Sequence, residues 1–124
     1  GWELWLDGGH NAAAGLVLAE AARGWKDQPL DLIFGMLNTK DLGAFLRPMA
    51  PAVRASASVA IPGEGASLSA LEAAQEARAL QLWATPSEDV AAAILTLIND
   101  SDRPGRILIC GSLYLAGAIL SQNA

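Results

Sequence analysis

Short apolar runs alternate with amphipathic segments along the chain, and this alternation predicts a mainly parallel sheet covered by helices. Five runs have the length and composition of strands, at residues 2–6, 30–34, 54–61, 80–83 and 106–110. The continuous apolar run of the fifth indicates a strand buried on both faces. The pattern therefore predicts an α/β fold of three layers, Rossmann-like, with a sheet of about five strands.

Helical periodicity and capping signals fill the gaps between the predicted strands. We expect helices at about residues 12–22, 41–49, 69–78, 86–98 and 113–120. Two segments fit the capping box, in which a Ser or Thr begins a helix and a Glu follows three residues later. They are residues 69–72 and residues 85–88, the second with Pro86 at the first helical position.

The length and composition indicate one globular domain, since 124 residues with 52% hydrophobic and 17% charged side chains can form a hydrophobic core. The net charge of −5, with no basic block, argues against nucleic acid or an anionic membrane as a partner. The single cysteine, Cys110, cannot form an internal disulfide, so we expect a reducing, cytoplasmic location. Because the first predicted strand begins almost at Gly1, we also expect a domain excised from a longer protein.

The most informative stretch joins the first predicted strand to the first predicted helix. Residues 7–11 are Asp-Gly-Gly-His-Asn, and the two glycines let the backbone turn tightly beside a ligand. His10 stands at the helix start, where free N–H groups favour anions, and Asn11 can cap that helix. From spacing alone, Asp7 either binds a ligand or caps the turn, and His10 either contacts a ligand or only stabilises the turn. A metal site is not indicated, because His10 has no second ligand at metal-binding spacing.

Three motifs resemble those of one enzyme family. Residues 7–11 resemble the DGAHN motif in the C-terminal domain of dihydrofolate synthase/folylpolyglutamate synthase, a member of the Mur ligase superfamily. Residues 35–41, Gly-Met-Leu-Asn-Thr-Lys-Asp, resemble its GMLxDKD segment, and residues 110–117, Cys-Gly-Ser-Leu-Tyr-Leu-Ala-Gly, resemble its closing GSLYLAG segment. Their order and spacing fit that family over nearly the whole chain. The resemblance implies a single domain, residues 1–124, with strand order 1-5-2-3-4 and a missing N-terminal ATPase domain.

The resemblance further implies an ATP-dependent ligase of folate biosynthesis, which adds L-glutamate to dihydropteroate or folate through an acyl phosphate. The missing domain would hold most of the ATP and Mg²⁺, because this sequence has no G-x-x-x-x-G-K-[ST] phosphate loop. By the same resemblance Asp7 contacts the ATP ribose, and His10 is a catalytic residue near glutamate and the phosphate. Ser112 presents its hydroxyl to glutamate, caps a helix, or does both. Lys40 can neutralise a phosphate, although a loop lysine is more often merely solvated.

Two other functions stay open on the sequence alone. The chain could belong to another Mur-type ligase, acting in cell-wall peptide or polyamino-acid synthesis, although the GSLYLAG-like ending favours the folate branch. It could also be a non-catalytic nucleotide-binding module that shares only the α/β fold. A nicotinamide dehydrogenase is disfavoured, because no G-x-G-x-x-G follows the first strand.

Three structural expectations follow. If His10 and Ser112 serve one site, the first and fifth strands are neighbours, and the Ser112 hydroxyl lies within roughly 12 Å of the His10 ring. Family members carry an antiparallel strand just before the first strand of this domain. Its edge is therefore expected to be open here and to cause self-association. Arg47 and Arg54 are expected at the surface.

Overall fold

The computed structural model describes residues 1–25 and 27–111, which form a five-stranded, all-parallel sheet with helices packed on both faces. The strands are β1 (Glu3–Leu6), β2 (Leu30–Phe34), β3 (Val53–Ser58), β4 (Ala84–Pro86) and β5 (Arg106–Cys110). The helices are α1 (Ala12–Gly24), α2 (Leu42–Leu46), α3 (Ala70–Arg78) and α4 (Val90–Asp100), with a 3₁₀ turn at Ala50–Ala52. The strand order is β1-β5-β2-β3-β4, so the predicted fold class and order are confirmed. The helix predicted at residues 113–120 lies outside the described residues.

Two apolar clusters, one on each face of the sheet, join the three layers. On one face α1, α2 and α3 pack against β2 and β5, and Phe34 and Phe45 are among the largest fully buried side chains there. On the other face α4 covers the sheet through Ala93 and Leu97. Every residue of β2 and β5 is buried. For β5 this burial confirms what its continuous apolar run predicted. Of the described helices, none combines the length and apolar character needed to cross a bilayer.

The fourth strand is not at residues 80–83, so that prediction is wrong. These residues close α3 instead, because the amide of Leu82 donates to the carbonyl of Ala77 (3.1 Å), as in a Schellman motif. Gln81 takes the left-handed conformation that this motif requires, with φ at 64°. Glycine is usual at that position, so the sequence carried no signal for the end of the helix. β4 begins only after the motif is complete.

Of the two predicted capping boxes, only the first forms. The hydroxyl of Ser69 accepts from the amide of Glu72 (3.0 Å), whose carboxylate accepts from the amide of Ser69 (2.9 Å). These bonds, above all the one from the Ser69 amide, lower the pKa of the Glu72 carboxyl. The box at residues 85–88 is wrong, because its first two residues belong to β4. Helix α4 is capped instead by Asp89, which accepts from the amide of Ala92 (2.8 Å).

β1 is an edge strand whose outer side is open in the described part of the chain. The amides of Glu3 and Asp7 donate inward, to the carbonyls of Gly105 (3.1 Å) and Ile109 (2.9 Å). Along a strand the backbone N–H and C=O groups of successive residues point to opposite edges. Those of Leu4 and Leu6 therefore point outward, away from β5. The Leu4 side chain is also 52% exposed. Such an apolar edge attracts another strand.

We therefore expect the 124-residue chain to self-associate through β1 as its concentration rises, which sedimentation velocity over a dilution series would measure. Leu4→Lys places a charge on this edge and is expected to leave a monomer, since edge lysines oppose strand pairing. Leu16→Lys is the matched control, because Leu16 is as exposed (61%) but lies on α1. A wild-type chain that stays monomeric at every concentration contradicts the prediction.

Candidate functional site

The turns that follow β1, β5 and β2 meet at one side of the sheet, because parallel strands end together. The amide of Gly111, directly after β5, donates to the carbonyl of Gly9 in the turn after β1 (3.0 Å). The amide of Gly35, directly after β2, donates to the carbonyl of Cys110 (3.4 Å). We call residues 7–11, 35–41 and 111 the strand-end rim. At this rim the start of the third motif contacts both the turn that carries the first motif and the turn that carries the second.

Asp7 lies half-buried where β1 enters the rim. Its Oδ1 accepts from the amide of Gly9 (2.7 Å), so the carboxylate does cap the turn. Burial, and secondarily the nearby charge of Asp7, raise the pKa of the Cys110 thiol, which stays neutral and buried beneath the rim. An ionised carboxylate accepts several hydrogen bonds. The contact with Gly9 therefore leaves Asp7 able to accept another from a ligand.

His10 is the half-buried residue that leads into α1. The helix is capped by Asn11, whose Oδ1 accepts from the amide of Ala14 (2.9 Å), as predicted. The Nδ1 atom of His10 is buried and has no hydrogen-bond partner among the described residues. A buried polar atom without a partner costs free energy. The imidazole is thus a group of the rim that can form a further hydrogen bond.

The turn after β2 carries Lys40, whose side chain is exposed. Its backbone is held in place, because the Lys40 amide donates to the carbonyl of Leu37 (3.1 Å) and Leu37 pairs with Ser67 across the rim. The next residue, Asp41, caps α2 by accepting from the amide of Ala44 (2.9 Å). The exposure of Lys40 suits a solvated lysine and a phosphate contact equally, so its role stays a prediction.

Ser112 lies outside the described residues, so the distance of 12 Å expected to His10 stays a prediction. The strand adjacency that this distance requires is confirmed, because β1 pairs with β5 from Glu3 to Leu6. Within residues 1–25 and 27–111, no group of three His, Cys, Asp or Glu side chains could hold a metal ion.

Searches of protein-family profiles and of curated proteins found no match to the chain. Solved structures do match. Folylpolyglutamate synthase from Mycobacterium tuberculosis, complexed with ADP and AMPPCP, has a TM-score of 0.81 at 24% identity, covering 96% of this chain and 29% of that one. E. coli FolC in complex with DHPP and ADP has a TM-score of 0.76 at 21% identity, covering 94% and 27%. A bifunctional folylpolyglutamate synthase/dihydrofolate synthase with Mn, AMPPNP and L-glutamate bound has a TM-score of 0.77 at 22% identity, covering 95% and 28%.

The chain has the fold of one part of folylpolyglutamate synthase. This likeness confirms, at the level of the fold, the resemblance that the three motifs indicated, as well as the α/β topology. The chain spans less than a third of the length of each of these enzymes.

Within this folylpolyglutamate synthase fold lies a buried ion pair that the sequence pattern did not indicate. Arg54, expected at the surface, donates from Nε and Nη2 to the two carboxylate oxygens of Asp31 (3.0 and 2.9 Å). Asp31 is fully buried, and its hydrogen bonds raise the pKa of the Arg54 guanidinium. The prediction for Arg54 is therefore wrong, whereas Arg47 is exposed as expected.

The sequence pattern also gave no sign that Arg106 is buried. The guanidinium of Arg106 lies over the neighbouring rings of Trp5 and Trp25, 5.4 and 4.8 Å from their centroids, and donates to Glu3 (3.2 Å). Arg54 and Arg106 lie near the starts of β3 and β5, at the edge of the sheet opposite the strand-end rim. They therefore support the fold rather than the candidate site. A charged residue inside an apolar strand, such as Asp31, signals that a buried pair exists, since buried charges are rarely unpaired, but it does not indicate which residue is the partner.

Proposed function

We propose that this chain is the C-terminal domain of an ATP-dependent ligase that adds L-glutamate to dihydropteroate or folate. The observation that carries the proposal is the contact of Cys110 and Gly111, where the third motif begins, with the turns that carry the first and second motifs. The fold supports it, because its structural neighbours were solved with ADP, with the folate-like DHPP and with L-glutamate. In the proposed parent an N-terminal domain holds Mg²⁺ and the triphosphate, since this sequence has no phosphate loop. The parent acts in the cytoplasm, in keeping with its lone cysteine in this domain.

In this proposal three side chains of the rim, and that of Ser112 next to it, contact the substrates. Asp7 accepts from the ATP ribose while it keeps its bond to the Gly9 amide (2.7 Å). His10 contacts the incoming glutamate and the phosphate through its half-buried imidazole. Ser112, the residue after Gly111, presents its hydroxyl to glutamate. Lys40 screens phosphate charge.

The proposed reaction has two steps. ATP phosphorylates the pteroate or folate carboxyl, which releases ADP. The amino nitrogen of glutamate then attacks the acyl carbon, so that a C–N bond forms, the C–O bond to phosphate breaks and the amine loses a proton. This domain contributes by positioning the glutamate and by excluding water when the two domains close.

We expect the full-length parent, but not the 124-residue chain, to release ADP over many turnovers only when glutamate and pteroate or folate are both present. A coupled assay of ADP release measures this, with each substrate omitted in turn as the control. Dependence on a cell-wall peptide or a polyamino acid would instead assign the parent to another branch of the Mur ligases. A coding sequence upstream of Gly1 with no phosphate loop favours the non-catalytic module. Turnover by the isolated chain contradicts the need for a second domain.

A further inference from the structure

The spacing of the strand-end rim depends on two positions that have no side chain. A Cβ atom placed on Gly111 would lie 2.2 Å from the carbonyl oxygen of Gly35. One placed on Gly35 would lie 2.6 Å from the carbonyl oxygen of Val59, the residue after β3. In both cases the obstacle is backbone, which cannot turn aside as a flexible side chain does. The ends of β5, β2 and β3 therefore touch through main-chain atoms.

Gly111 also connects this contact to the turn that carries His10. Its amide donates to the carbonyl of Gly9, the residue directly before His10 (3.0 Å). Its φ is +105°, which a residue with a side chain rarely adopts. Gly111 thus contacts the turns after β1 and β2 simultaneously, and any movement of its backbone displaces at least one of them.

We propose that Gly111 is a positioning residue, which sets the place of the His10 ring relative to the turn after β2. An alanine at position 111 overlaps the Gly35 carbonyl and disfavours the positive φ. It is accommodated only if the end of β5 moves away from β2. The movement is transmitted to His10 through the hydrogen bond to Gly9. The effect on glutamate rests on the proposed function, whereas the effect on the His10 ring does not.

The ring of His10 is a direct probe, because His10 is the only histidine in the sequence. We expect Gly111→Ala to shift both carbon-bound ring proton resonances of His10 in the NMR spectrum of the 124-residue chain. Gly105→Ala is the matched control at the other end of β5, because its Cβ would lie 2.7 Å from the carbonyl oxygen of Pro29. This control is expected to cost stability and to leave the His10 signals in place.

Gly35→Ala is the second variant, in case Gly111→Ala does not fold, and it is expected to shift the same resonances. Unchanged His10 signals in a folded Gly111→Ala chain, or equal shifts in the Gly105→Ala control, overturn the proposal. If only the Gly35→Ala chain folds, unchanged signals in that chain overturn it as well.

In the full-length parent, Gly111→Ala is expected to raise the KM for glutamate on the order of tenfold, because small displacements of a positioned group are costly. The KM for ATP is expected to change less, and Gly105→Ala is expected to change neither. If the His10 resonances move but the glutamate KM does not, the positioning role stands and the proposed function fails at this site.

Discussion

Replacing Arg54 with methionine is expected to lower the free energy of unfolding by about 3 kcal/mol, measured by urea denaturation. The change leaves the fully buried carboxylate of Asp31 without its two hydrogen bonds from the guanidinium. It also removes a hydrogen bond to the carbonyl of Arg103 (3.0 Å). We expect the lower end of the range for a broken buried pair, because the Arg54 side chain is itself 24% exposed.

Two controls separate the cost of the unpaired carboxylate from a general loss of contacts. Arg23→Met removes the exposed ion pair with Glu20 on α1 and is expected to cost less than about 1 kcal/mol. The double variant Asp31→Leu with Arg54→Met is expected to recover most of the stability, because it leaves no charge buried. A double variant no more stable than Arg54→Met alone contradicts this explanation.

In the full-length parent, His10→Ala is expected to lower kcat/KM for glutamate by about 10²-fold, because a positioned imidazole at the reacting groups contributes at least that much. Asp7→Ala is expected to raise the KM for ATP by about tenfold, the value of one hydrogen bond to a charged group. Steady-state kinetics with each substrate varied separately measures both effects.

Conservative variants show whether these residues bind substrate or only support the turn. Asp7→Asn keeps an acceptor for the Gly9 amide but loses the charge, so its KM for ATP is expected to lie near that of Asp7→Ala if the ligand contact matters. His10→Gln keeps a donor and an acceptor and is expected to recover part of the glutamate activity. Equal losses for both substrates in Asp7→Ala and His10→Ala would show that the two residues only support the turn.

The elements that could be predicted from the sequence are those whose signal is local. β2 and β5 match the predicted strands to the residue, because both are wholly buried runs bounded by Pro29 and Gly105. β4 was misplaced because it is only three residues long, partly exposed, and follows a helix end formed by Gln81 rather than glycine. The strand order followed from the resemblance to the folate ligases, and not from periodicity.

In the candidate site, too, local signals could be predicted from the sequence and contacts between distant residues could not. Asp7 and Lys40 could be placed on one side of the sheet, because each follows a parallel strand. The pairing of Arg54 with Asp31 spans 23 residues, and no local pattern reveals such a partner. The contact of Gly111 with Gly35 could not be predicted for a different reason. A close backbone contact requires only a glycine, and a glycine in a sequence can equally mark a turn or a helix end.

The strand order also determines when the domain can be completed during synthesis. Glu3 of β1 and Arg106 of β5 form an ion pair although 103 residues separate them. A ribosome adds those residues in roughly 5–20 s, and throughout that time β1 has emerged without its neighbour. β2 and β3 can pair much earlier, so the first strand of this domain to be synthesised is among the last to join the sheet. Until then the apolar side chains of Leu4 and Trp5, which stay partly exposed even in the folded sheet, lack the neighbouring strand.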